Sequence, residues 1–225
     1  MTYEIERKIL NGVPLNNIEV QSFLKYFCEY IRKENDISDP LDPNCRICYK
    51  TSDDFGRLML MRFGCDVEKI DIKNDLGIPL THYSNIIFFN IDGVDKAYLV
   101  DMTYSQFFGE TIALDGNNND YELTVYTEKV FGSKEKELFV EELRKNGFVE
   151  LNEEILKKYI DAFLDICDVN DKTFAYQNIN KKFYDKKVNI KLEKGKVEKL
   201  QELKQELLET AELIEKENKQ KAQHL

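Results

Sequence analysis

Histidine is scarce in this chain: there are two in 225 residues, and one of them, His224, stands next to the C-terminal residue. Chemistry in the body of the chain that needs an imidazole base must use His82. Cations are outnumbered as well, with 32 Lys and Arg against 42 Asp and Glu and a formal net charge of -10. That balance argues against nonspecific nucleic-acid binding, which needs clustered Lys and Arg. No apolar run is long enough to span a membrane. The N-terminal stretch Met1 to Arg7 lacks the pattern of a signal peptide. The expected location is the cytoplasm, or a host cytosol reached by a route without a classical signal peptide. Cysteine is too sparse for a disulfide framework, and the odd count of five leaves at least one thiol free, which points to a reducing site of action. What the chain has in quantity is apolar and aromatic material: 42% hydrophobic residues, with 14 Phe and 12 Tyr. This is enough to bury a core in one domain of ordinary size plus an extension.

The most informative stretch runs from Thr81 to Tyr104. Residues 81–91 and 96–104 read as two strands around the polar turn Asp92-Gly93-Val94-Asp95. In the first strand Ile86 and Phe88 lie on one face and Ile87 and Phe89 on the other, the pattern of a strand covered on both sides. His82 opens the first strand and Asp101 ends the second, so a hairpin brings them side by side. A carboxylate beside an imidazole is how a base is oriented; what such a pair still needs is a nucleophile.

Candidates for the nucleophile lie upstream, between Cys45 and Gly64. Phe55, Leu58, Met59 and Phe63 recur at helical spacing and Gly64 reads as the C-terminal stop. Two start signals compete, Pro43-Asn44 just before Cys45, and Ser52 followed by Asp53 and Asp54. A cysteine at a helix N-terminus has its thiolate stabilised by the dipole and by free backbone N–H groups. If the helix contains Cys48, then Ser52 and Gly56 follow at i+4 and i+8, small enough for the sheet carrying His82 to approach closely. Cys48 is the favoured nucleophile and Cys45 the alternative.

This order, Cys at the head of a helix, His opening a strand and Asp ending the next, resembles the papain-like superfamily, specifically its transglutaminase-like branch. The segment Tyr98-Leu99-Val100-Asp101-Met102-Thr103-Tyr104-Ser105-Gln106-Phe107-Phe108 resembles a segment of papain-like domains in bacterial effectors and toxins. The likeness covers roughly residues 45–110. It implies an α+β fold in which a Cys-bearing helix packs on an antiparallel sheet, and a triad of Cys48, His82 and Asp101. The backbone N–H of the Cys would supply one oxyanion donor, with a Gln or Asn from the region Asn16 to Gln21 a candidate for the second. The Asn146-Gly147-Phe148 connection and the helix after it also resemble the region C-terminal to the Asp segment in such domains.

The rest of the chain reads as support. Residues 16–33 form the first helix, with Val20, Phe23, Leu24, Phe27, Cys28 and Ile31 on one apolar stripe. Cys65 to Ile72 reads as an edge strand and Asn74 to Pro79 as a loop. Asp115 to Asp120 reads as an exposed loop, without the spaced terminal Glu of a calcium-binding EF-hand. Helices are expected over 134–146 and 152–167. The catalytic domain is expected to span 1–168, with a connecting segment over 169–190. Residues 191–225 form a charged helical extension: Val197, Leu200, Leu207, Ala211 and Ile214 fall at a/d spacing, with Gly195 a candidate hinge. Over 191–222 a partner or self-association helix and a helix packed back or solvated are both open.

The expectation is thus a cysteine-dependent enzyme that transfers acyl groups from amide bonds of a protein or peptide substrate, as protease, deamidase or transglutaminase, with no cofactor. One rival is a catalytically inactive papain-like fold that binds a protein partner through its C-terminal helix. Another is a zinc site built from Cys45, Cys48, Cys65 and His82. Zinc sites in small modules usually take ligands as close pairs, which Cys65 and His82 do not form, so no metal is expected.

Overall fold

The hairpin around Asp92-Gly93 forms the middle of a four-stranded antiparallel sheet. The computed structural model describes residues 2–37, 47–104, 112–116, 119–123 and 138–191. In chain order the elements are α1 (Thr2–Leu10), α2 (Asn17–Glu34), α3 (Cys48–Phe63), β1 (Asp66–Asp71), α4 (Ile72–Leu76), β2 (Tyr83–Ile91), β3 (Val94–Val100), β4 (Ile112–Gly116), β5 (Asn119–Leu123), α5 (Leu138–Asn146), β6 (Phe148–Leu151), α6 (Glu153–Ile166) and α7 (Thr173–Lys182). A 3-10 turn over Tyr184–Lys186 comes next. The sheet order is β1-β2-β3-β6, and β4 and β5 pair in a separate two-stranded sheet. The class is α+β.

The turn is tighter than its sequence suggests. Pairing continues to Ile91 opposite Val94, leaving two turn residues. Asp92 (φ 51°) and Gly93 (φ 84°) both take positive φ, the conformation that an Asp-Gly pair tolerates and that suits the twist of a hairpin. β1 is an edge strand, paired only with β2. The register puts Ile87, Tyr98 and Val100 on one face and Ile86, Phe88 and Leu99 on the other. On the first face they pack with Val20, Phe23 and Phe27 of α2 and with Phe55, Met59 and Phe63 of α3. On the second, Phe88 meets Phe183 beyond α7, and Phe163 of α6 stacks on His82. The sheet is therefore covered on both sides.

Several expectations change. A helix, α1, precedes the helix expected first; its Ile5 joins the core and its partly buried Ile9 packs against it. α4 occupies part of the stretch read as a loop, capped by Asp71. Of the stretch read as a loop, Asp115 and Gly116 end β4 and pair with Asp120 and Asn119 of β5. The compact unit does not end at 168: it runs from Met1 to Ile190, with a second unit from Lys191 to Leu225. The segment 169–190 folds into α7 because Tyr176, Ile179, Phe183 and Ile190 bury their side chains. Cys45, residues 105–108 of the family-like segment and the helical reading of 192–225 lie outside the described residues. Among the described residues no helix is long and apolar enough to cross a membrane.

Candidate functional site

α3 begins at Cys48. Its N-cap, Ile47, offers no side-chain acceptor, and the first turn contains no acidic residue. The first turn therefore brings no carboxylate of its own to the N-terminal N–H groups and the positive end of the dipole, and Cys48 sits among them. The start at Ser52 loses because Ser52 faces inward: its hydroxyl donates to the Ser84 carbonyl at 3.3 Å and accepts from Asn85 Nδ2 at 3.0 Å. Asn85 Nδ2 also donates to the Ser52 carbonyl at 2.9 Å. One turn further on, a Cβ added at Gly56 would meet Asn85 Oδ1 at 3.2 Å. Small residues at i+4 and i+8 thus let α3 settle on β2, and this brings Cys48 to the end of the strand where His82 lies.

His82 precedes β2 and Asp101 comes directly after β3, at the same end of the antiparallel pair. Pairing extends past β2, since Ile72 donates its N–H to the His82 carbonyl at 3.0 Å. His82 Nε2 and Asp101 Oδ2 are 2.6 Å apart, with both side chains fully buried. Nε2 is thus directed to the carboxylate. The His82 side chain and the backbone N–H of Tyr83 both act on the Cys48 thiol and lower its pKa. Cys48 comes from the layer on one face of the sheet. The packing around His82 and Asp101 comes from α6 on the other, so the three residues meet where the two layers close over the sheet end.

Their ionisation reflects this packing. Burial alone would raise the Cys48 thiol; the hydrogen bond and charge of His82, with the Tyr83 N–H, override it and hold the pKa below the ordinary 9.0. Burial alone would lower His82; the Asp101 charge and hydrogen bond, then those of Cys48, push it from 6.5 up to about 9. Both shifts favour the charged form of each group, the thiolate of Cys48 and the imidazolium of His82. For the other described cysteines burial prevails, even where a cation is near, as Arg32 is to Cys28. Burial pushes Cys28 and Cys65 up to about 12 and Cys167 up to about 11. Cys28 lies on the apolar stripe of α2, as its spacing predicts.

Asp101 is tied down on every side. Its Oδ1 accepts from the Thr103 N–H at 3.2 Å and the Thr103 hydroxyl at 3.3 Å, and its Oδ2 accepts from the Tyr159 hydroxyl at 2.7 Å. Its own N–H donates to the Gly147 carbonyl at 2.9 Å. Gly147 (φ 82°) ends α5, whose last carbonyls accept from the buried Arg32 guanidinium. By sequence alone Tyr159 is only one apolar position on a helical stripe. The signal available was a hydroxyl on that buried stripe, since a buried Tyr oxygen needs a partner. Gln and Asn of the 16–21 region are engaged elsewhere: Asn16 caps α2, Asn17 accepts from the Tyr98 hydroxyl at 2.9 Å, and Gln21 is exposed.

Aromatic rings stand beside Cys48. Tyr49, 57% exposed and next to Cys48, stands edge-on to Tyr83 at 5.1 Å. Lys69 Nζ lies over both rings, at 4.1 and 4.9 Å. The zinc arrangement does not form, because Cys48 and Cys65 flank the two ends of the 16-residue α3, about 24 Å apart at the helical rise. Among the described residues, no group of three or more His, Cys, Asp or Glu side chains is placed to hold a metal ion. Compared with family models, with curated proteins and with solved structures, the chain matches none.

Proposed function

We propose that this protein is a cysteine-dependent acyl-transfer enzyme with a papain-like, transglutaminase-like core, acting on amide bonds of a protein or peptide. The observation that carries the reading is the buried line from the Cys48 thiol through His82 to Asp101, whose shifts favour a thiolate facing an imidazolium. The α+β arrangement of a Cys-bearing helix against neighbouring His and Asp strands supports the family reading.

In this mechanism the Cys48 thiolate attacks the amide carbonyl carbon, and the C=O π electrons move onto oxygen. The oxyanion meets the Cys48 backbone N–H, which has no partner within the helix. Collapse expels the amine, which takes its proton from the His82 imidazolium. The neutral imidazole then removes a proton from water, or from an incoming amine, as it attacks the thioester carbonyl. The thiolate leaves and the imidazolium is restored. Asp101 holds the ring throughout and stabilises its charge. Hydrolysis, deamidation and transamidation share these steps and differ in the leaving amine and the incoming nucleophile.

The test is His82→Ala. It should leave the fold intact and reduce turnover of a peptide amide substrate by roughly 10²–10⁴, the scale of a lost general base. A variant that unfolds, or that turns over at the parent rate, contradicts the assignment.

A further inference from the structure

Tyr159 is buried beside the catalytic pair, and the acyl-transfer steps do not by themselves call for it. Its hydroxyl and His82 Nε2 reach the same carboxylate oxygen, at 2.7 and 2.6 Å. Tyr159 and His82 are 0% exposed and Asp101 is 2% exposed. The surroundings are aromatic: the Tyr159 ring packs on Phe163 at 5.0 Å and on Tyr104 at 5.4 Å, and Phe163 stacks on His82 at 5.4 Å. The remaining donors, both from Thr103, reach the other oxygen at 3.2 and 3.3 Å. The Tyr159 hydroxyl is therefore the shortest hydrogen bond to this carboxylate apart from that of the histidine.

A buried carboxylate and imidazole can hold their shared proton in two ways. It rests on the ring, giving imidazolium and carboxylate, or on the carboxyl, giving two neutral groups. Burial favours the neutral form, and hydrogen bonds to the ionised carboxylate favour the charged one. Only the charged form gives the Cys48 thiolate a cation. We infer that Tyr159 is a positioning residue: its hydroxyl, hydrogen-bonded to the Asp101 oxygen that faces His82, holds the positive charge on His82 facing Cys48. This rests on the acyl-transfer reading of the same site and adds that a hydroxyl on α6 sets the charge state of the pair.

Burial, and then the Asp101 charge, hold the Tyr159 hydroxyl well above its ordinary pKa of 10, so it is a donor throughout the working range. Among the described residues, the titratable groups facing the pair are Cys48 from α3, Tyr104 after β3 and Tyr159 from α6. The Ser84 hydroxyl of β2 lies beside the Tyr159 oxygen.

The test is nitrogen NMR of ¹⁵N-histidine in the full chain, where only one other histidine, His224, contributes signals. The parent protein should show both His82 nitrogens protonated at pH 7, with a midpoint near 9. Tyr159→Phe keeps the ring and its packing. It should lower that midpoint by about one unit or more, a tenfold or larger loss in the ratio of imidazolium to imidazole at a given pH. 2,3-Difluorotyrosine at position 159, a stronger donor in the same shape, should move the midpoint upward; this second variant decides the matter if Tyr159→Phe fails to fold. A neutral His82 in the parent at pH 7, or a midpoint unmoved by either change, overturns the inference. Failure of the acyl-transfer reading looks different: His82 would respond to Tyr159 in a protein whose Cys48 forms no acyl-enzyme.

Discussion

Replacing Asp101 with Asn tests how much of the nucleophile depends on one buried charge. Every group that reaches the Asp101 side chain is a donor: His82, the Tyr159 hydroxyl, and the N–H and hydroxyl of Thr103. An amide turns its NH₂ toward at least one of them, so a hydrogen bond becomes a donor–donor contact as the charge disappears. The pKa of His82 is held up from 6.5 to about 9 against burial, by Asp101 first and Cys48 second. At about 1.4 kcal/mol per unit this is roughly 3.5 kcal/mol of preference for the imidazolium, or about three-hundredfold in its ratio to the neutral ring. Without Asp101 the buried ring is neutral near pH 6.5, and Cys48 loses the charge that offsets its own burial. The assay is the second-order rate of iodoacetamide labelling at pH 6.5, followed by intact mass, with a thermal melt alongside. Asp101→Asn should remain folded and label about a hundredfold more slowly. Labelling within about twofold of the parent rate would refute the reasoning, because the thiolate would then owe nothing to the carboxylate.

Other consequences are open to measurement. Turnover should trace a bell-shaped pH profile, rising as Cys48 ionises below pH 9 and falling near 9 as His82 loses its proton; a profile that still climbs at pH 10 contradicts the acid role of His82. Removing residues 191–225 should leave a cooperative thermal transition, since the unit from Met1 to Ile190 contains the core; a non-cooperative melt would show that the extension belongs to it. Phe183→Ala should destabilise by about 3–5 kcal/mol in chemical denaturation, because this fully buried ring anchors the segment after α7; a loss under ~1 kcal/mol would return that segment to the status of a connector. Ser52→Leu should cost about 1–3 kcal/mol and slow Cys48 labelling, because it pushes α3 off Ser84 and Asn85; an unchanged labelling rate would separate the nucleophile from that contact.

Parts of this arrangement were legible in the sequence because they depend on local geometry. An Asp-Gly turn between two apolar strands sets an antiparallel register, which alone brings the residue opening one strand beside the residue closing the next. The pairing of His82 with Asp101 is a result of that register. Ser52 and Gly56 were readable as an approach face because helical spacing puts them in line with Cys48. The start of α3 was not readable, since Ile47 provides no capping side chain and the Ser52 signal lies inside the helix. Tyr159 was hidden by distance: its partner lies 58 positions away, and spacing marks a residue as buried without saying what its hydroxyl meets. α7 was missed because Ala175, Tyr176 and Ile179 are its only buried residues among polar neighbours, too few for a clear stripe. α1 was missed for the same reason, with Ile5 its one side chain in the core.

The central claim is that one thiol in this chain is activated by His82 for attack on a carbonyl. The most direct measurement is peptide mapping after limiting iodoacetamide at pH 6, on the parent and on His82→Ala, followed by trapping with a thiol-reactive acyl probe. The account predicts a single labelled site at Cys48, the acyl group on the same residue, and strong slowing of both in His82→Ala. Cys28, Cys65 and Cys167, with their pKa values pushed up to about 11–12, should stay unlabelled in the native protein. Label on Cys45 would move the nucleophile and contradict the role given to the first residue of α3. Slow labelling of every accessible thiol, indifferent to His82, would contradict the account as a whole.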